Sequence, residues 1–86
     1  MERFHFNIED GKPYPDDEGT LLVDLTAARR EALKVITEAV MNWPDEFWRT
    51  QQYSVTVTDH SGLALFTLNL SVQDAAALGG GRKRPS

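Results

Sequence analysis

Three acidic side chains, Asp16, Asp17 and Glu18, stand directly before Gly19 in the stretch PYPDDEGTLLVDL. Carboxylates this close are the raw material of a divalent-cation site, because hard cations take oxygen ligands. An EF-hand loop needs acids at positions 1, 3 and 5, glycine at 6 and glutamate at 12. With Gly19 at position 6, Tyr14 falls at position 1 and Leu25 at position 12, so both ends fail. A looser oxygen site would have to draw on Asp10, Asp16, Asp17 and Glu18. Zinc fits less well still. It wants three or four nitrogen or sulfur ligands, and the chain has only His5 and His60, far apart in sequence, and no cysteine. No serine, histidine and acid fall into a legible triad. No glycine motif for phosphate binding is present either, since Gly79–Gly81 follows no strand and opens no helix. The sequence therefore assigns no catalytic residue, no metal ligand and no cofactor, and the expectation is a protein that is not an enzyme.

A structural role for the acidic stretch is preferred. Acids ahead of a helix N-terminus interact favourably with its dipole, by about 0.3–1 kcal/mol each. Arg29 falls about 40° from Leu25 on a helical wheel, inside the apolar arc and out of place for a charge. A clamp is expected in which Asp17 or Glu18 pairs with Arg29 and pins the loop to the helix.

The elements that would position these groups are legible. RFHFNIED alternates, with Phe4, Phe6 and Ile8 on one side and Arg3, His5, Asn7 and Glu9 on the other, the period of a half-buried strand. Asp10-Gly11 supplies turn chemistry. Pro13 and Pro15 cannot donate to a ladder, so a second strand here must be short and at an edge. TLLVD allows one more brief extended piece. Asp24 is a fitting N-cap for LTAARREALKVITEAVMNW, in which Leu25, Ala28, Ala32, Leu33, Val35, Ile36, Ala39, Val40 and Trp43 share an arc of about 160°. Pro44 ends that helix at Trp43 and suits the first position of a further turn, with Phe47 or Trp48 closing the end of the core. QYSVTVT and LALFTLNLSV alternate again around DHSG, a hairpin whose Gly62 suits positive φ. Tyr53, Val55, Val57, Phe66, Leu68, Leu70 and Val72 face inward. The result is an α+β two-layer domain over residues 1–74, with one amphipathic helix on a three- to four-stranded antiparallel sheet and the first strand in its middle. Residues 75–86 are expected to form a disordered, glycine-rich basic tail.

The motif string resembles a family of small bacterial proteins of unknown function. Its marks here are the aromatic strand ending in Asp10-Gly11, the acidic loop Asp16-Asp17-Glu18-Gly19, the Leu22–Leu25 approach to the helix, Ala28-Arg29-Arg30-Glu31-Ala32, and the Asp59–Gly62 hairpin turn. The likeness runs over roughly residues 3 to 72, and the proline-flanked Tyr14 and the chain after Val72 depart from it. It implies the same fold and carries over no activity, cofactor or catalytic residue.

Charge and surface narrow the partners. The 86 residues carry 9 basic and 13 acidic side chains, a net charge of −4. Without Arg82, Lys83 and Arg84, six basic residues face the same thirteen acids. An acidic body argues against nucleic acid as the main partner, because phosphate contacts dominate such affinity. The absence of cysteine fits a reducing compartment, no apolar run approaches the ~20 residues that cross a membrane, and the alternating start is no signal peptide. A cytoplasmic protein with no membrane contact is expected. The outer face of the sheet, His5, Asn7, Ser54, Thr56, Thr58, Thr67, Asn69 and Ser71, is polar and nearly uncharged. His5, Asn7, Thr56, Thr67 and Asn69, with Trp48 should it be exposed, form the expected partner surface. The leading reading is a non-enzymatic interaction or accessory module that binds a protein partner or its own copy through the sheet. The alternative is an antitoxin-like regulatory protein that meets nucleic acid or a protein partner.

Overall fold

The structure, a computed structural model, describes residues 1–75. The tail expected over 75–86, including Arg82, Lys83 and Arg84, lies outside the described residues but for Ala75. Seven elements follow in order: β1 (Glu2–Glu9), β2 (Pro13–Tyr14), β3 (Thr20–Leu22), α1 (Leu25–Asn42), α2 (Pro44–Thr50), β4 (Gln52–Thr58) and β5 (Ala64–Ser71). The expected α+β arrangement, helix on antiparallel sheet, is the one the chain adopts.

The sheet has five strands in four columns. β1 pairs with β4, and β4 with β5. On the other side of β1, β3 pairs with Glu2–Phe4 and β2 with Ile8 and Glu9. Two short strands thus share one edge, broken where Pro15 and the acidic loop intervene. Proline confines β2 to this place because it has no N–H to give to a ladder.

Asp24 caps α1 as its sequence position requires, its side chain accepting the Ala27 N–H at 2.9 Å. The Trp43 N–H reaches back to the Ala39 carbonyl at 3.0 Å, and Pro44 then opens a second helix of seven residues, longer than the single turn expected. Gln51 closes α2 in the left-handed region at φ 59° and sends the chain into β4. In the hairpin turn, Oδ1 of Asp59 accepts the N–H groups of Ser61 and Leu63, each at 2.9 Å, and Gly62 takes φ +94°. Thr58 pairs with Ala64 whereas Val57 pairs with Phe66, which leaves Leu65 as the extra residue of a bulge.

The core lies between α1 and the middle strands. Phe4, Phe6, Val55 and Val57 come from the sheet and Ala28, Ala32 and Ile36 from the helix, with Ile8, Leu22, Val35, Tyr53, Phe66 and Leu68 packed around them. The two fully buried alanines let the α1 backbone settle close on the sheet. The buried stripe is narrower than the wheel implied. Leu25, Leu33 and Trp43, expected inside, are 38%, 55% and 64% exposed. Full burial on α1 is confined to Ala28, Ala32 and Ile36; Leu25 is the first residue of the helix and Trp43 follows its last, Asn42.

Candidate functional site

The outer face of the sheet forms as its alternation implies. His5 stands opposite Thr58, Asn7 opposite Thr56, Thr56 opposite Thr67 and Ser54 opposite Asn69. The hydroxyls of Thr56 and Thr67 are 2.9 Å apart, and the Asn7 amide donates to the Thr56 carbonyl at 3.2 Å. Five of the six expected partner residues therefore share one surface. Trp48 does not join them: it is exposed on α2, which packs against α1 and β4, with its ring edge-on to half-buried Phe47.

The chain itself occupies one corner of that surface. Between β2 and β3, the residues His5 to Asn7 of β1 have no strand partner on the edge side among the described residues. Asp16 stands in for the missing strand. Its Oδ2 accepts the Phe6 N–H at 3.0 Å and its Oδ1 accepts the Gly19 N–H at 3.1 Å. Its own N–H donates to Oδ1 of Asn7 at 2.9 Å, and its carbonyl lies 2.8 Å from Nδ1 of His5. A carbonyl only accepts, so the proton sits on Nδ1 of His5. Arg3 donates to the Glu18 carbonyl at 2.9 Å, and Gly19 at φ +73° comes so near that a Cβ there would lie 2.9 Å from Arg3 Cγ and from the Phe4 carbonyl oxygen. His5 and Asn7, named in the expected partner surface, both make hydrogen bonds with Asp16 of the residue 16–19 loop. The open part of the face is that of β4 and β5, where Thr67 and Asn69 are exposed.

The expected clamp is corrected by the same contacts. Arg29, Asp17 and Glu18 are all exposed. Among the described residues the one ion pair is that of Arg49 with Glu46, and no side-chain hydrogen bond includes Arg29. The loop is fastened to β1 rather than to α1, and by Asp16 rather than by its neighbours. The physical reason is the ranking of needs. A strand N–H shut off from water must find an acceptor, whereas an exposed ion pair is worth only about 0–1 kcal/mol.

The two histidines, distant in sequence, meet in space. Their ring centroids are 5.9 Å apart and the rings are nearly parallel, at 16°. The β1–β4 register, His5 opposite Thr58, brings the hairpin tip over β1. The hydroxyl beside His60 is already employed, that of Ser61 donating to Asp59 at 2.7 Å, and at the far end of the β1–β4 pairing the Ser54 hydroxyl donates to the Glu9 carbonyl. The Ser61 hydroxyl, then the Leu63 N–H, hold the Asp59 carboxyl below its usual range. Among the described residues no three potential metal ligands converge, so Asp10, Asp16, Asp17 and Glu18 do not assemble the looser oxygen site. No helix of these residues is long and apolar enough to cross a membrane.

A family model described as "Domain of unknown function (DUF6894)" matches residues 3–71. The chain belongs to that family. The match runs from the second residue of β1 to the last residue of β5 of this DUF6894 domain, nearly the extent over which the sequence motifs run. The family's description assigns no activity. No curated protein and no solved structure matches the chain.

Proposed function

We propose that this DUF6894 domain is a non-enzymatic interaction module whose partner is a second copy of itself, joined edge to edge along β5. The observation that carries this reading is the difference between the two edges of the sheet. The β1 side is blunted: two short strands, Pro13 and Pro15, and an acidic loop tied down by Asp16. On the other side, β5 pairs only with β4 among the described residues. Its eight residues, ALFTLNLS, contain no charge and no proline. Proteins usually guard such an edge with lysine, proline or a bulge, because its free N–H and C=O groups are a template for another strand. The bulge at Leu65 guards only one end and leaves Phe66–Ser71 regular.

Charge favours a second copy as the occupant. Two acidic bodies repel, and a two-fold axis sets each patch against itself. An uncharged strip is where like copies approach at the lowest electrostatic cost. The alternative, contact with nucleic acid, depends on Arg82, Lys83 and Arg84, which lie outside the described residues.

Sedimentation equilibrium tests the reading with the wild type and a Thr67→Lys/Asn69→Lys variant. Both positions are exposed on β5, and lysine on an edge strand opposes pairing by charge. The expected result is a dimer for the wild type and a monomer of unchanged circular dichroism for the variant. A wild type that stays monomeric up to millimolar concentration contradicts it.

A further inference from the structure

On the helix side of the sheet, a cavity of about 130 Å³ lies where α1, α2 and β4 meet. Three aromatic residues line it, Trp43, Phe47 and Tyr53, together with two acidic ones, Asp10 and Glu46. Its size is on the scale of the ~150 Å³ cavity that accepts a benzene-sized molecule. The two carboxylates differ in circumstance. Glu46 is engaged by Arg49 on the surface of α2. Asp10 is half-buried, and among the described residues no hydrogen bond or ion pair includes its carboxylate.

That sets Asp10 apart from the aspartates that build the fold. Asp16, Asp24 and Asp59 each accept backbone N–H groups. At Asp10 the turn is closed by its own N–H donating to the Lys12 carbonyl, and the carboxylate takes no part. A carboxylate beside aromatic residues draws an opposite charge to the same place. Burial, then the Asp10 carboxylate, holds the Tyr53 phenol above its usual range, so the field of Asp10 reaches into the cavity. Asp10 also lines the neighbouring cleft, where Lys12 and Arg49 stand and where Arg49 feels its charge, but neither cation lines this cavity.

We propose that this cavity binds an alkylammonium cation, its alkyl groups against the rings of Trp43, Phe47 and Tyr53 and its charge beside the Asp10 carboxylate. Aromatic faces attract cations electrostatically. A neutral apolar ligand fills the same space but forgoes the attraction of Asp10, and an anion meets two acidic residues. The site is separate from the β5 edge, and its occupation requires no dimer.

Tryptophan fluorescence of a Trp48→Phe variant, which leaves Trp43 as the reporter, tests the proposal with choline and with its neutral isostere 3,3-dimethylbutan-1-ol. Choline is expected to give a saturable change at a Kd about tenfold below that of the alcohol. Asp10→Asn is expected to abolish that preference while leaving the alcohol's binding unchanged. Equal affinity for the two compounds overturns the proposal, as does the absence of any saturable change or a preference that survives Asp10→Asn. A peptide bearing trimethyllysine, run in parallel, separates the sources. Tighter binding than choline points to a protein-borne cation, and weaker binding to a free one.

Discussion

The carboxylate of Asp16 accepts the backbone N–H of Phe6 at 3.0 Å, at the point on β1 where β3 has ended and β2 has not begun. One side chain thereby completes a sheet edge that the chain leaves open. Asp16→Ala deprives both the Phe6 and the Gly19 N–H groups of their acceptor. A loss of about 1–3 kcal/mol in urea unfolding is expected, since an unsatisfied, partly shielded donor costs that much. Asp17→Ala and Glu18→Ala, at exposed positions, are expected to stay within about 0.5 kcal/mol of the wild type.

Gly19 is held at φ +73°, with Arg3 Cγ and the Phe4 carbonyl oxygen each 2.9 Å from where a Cβ would stand. Gly11, at φ +106°, has open space around it. Both substitutions to alanine are strained, but only the first also collides with backbone. Gly19→Ala is expected to cost more than about 1 kcal/mol and to lower the melting temperature clearly further than Gly11→Ala. Equal shifts would contradict the close fit of the loop on β1.

Arg29 and Arg30 are both exposed on α1. Their alanine variants are expected to melt within about 0.5 kcal/mol of each other. A selective loss at Arg29, read by thermal denaturation, would reinstate the clamp to the acidic loop.

Asp59 titrates below its ordinary range because of the Ser61 hydroxyl, then the Leu63 N–H. A carboxyl depressed in the folded state stabilises above its unfolded pKa, and that contribution disappears as pH falls through the folded value. The acid side of the stability profile, below about pH 4, is therefore expected to fall less steeply in Asp59→Asn than in the wild type. Unfolding free energy measured across that range checks it. Parallel profiles would show that the turn does not depend on this charge.

Much of the fold was legible because its signals are local. Phe4, Phe6 and Ile8 alternate, Asp24 sits where a cap belongs, and Gly62 takes the positive φ that its place in DHSG implies. Pro13 and Pro15 correctly marked a short edge strand. What escaped was long-range or depended on register. The wheel put Arg29 and Trp43 in the apolar stripe, yet how much of a helix a sheet covers depends on the width of the sheet, which no single segment records. His5 and His60 looked remote because only the pairing of β1 with β4 brings them together. Asp16, Asp17 and Glu18 looked alike as three carboxylates; only the gap between β2 and β3 tells which of them has a strand N–H to satisfy. The polar outer face was legible residue by residue, but the loop that bonds to His5 and Asn7 was not.

Amide hydrogen exchange along β5, followed at low and at high protein concentration, tests the edge-pairing account most directly. The account predicts that the β5 amides between Phe66 and Ser71 that point away from β4 gain protection as concentration rises, while those bonded to β4 do not change. Identical exchange of the outward amides at both concentrations would contradict it.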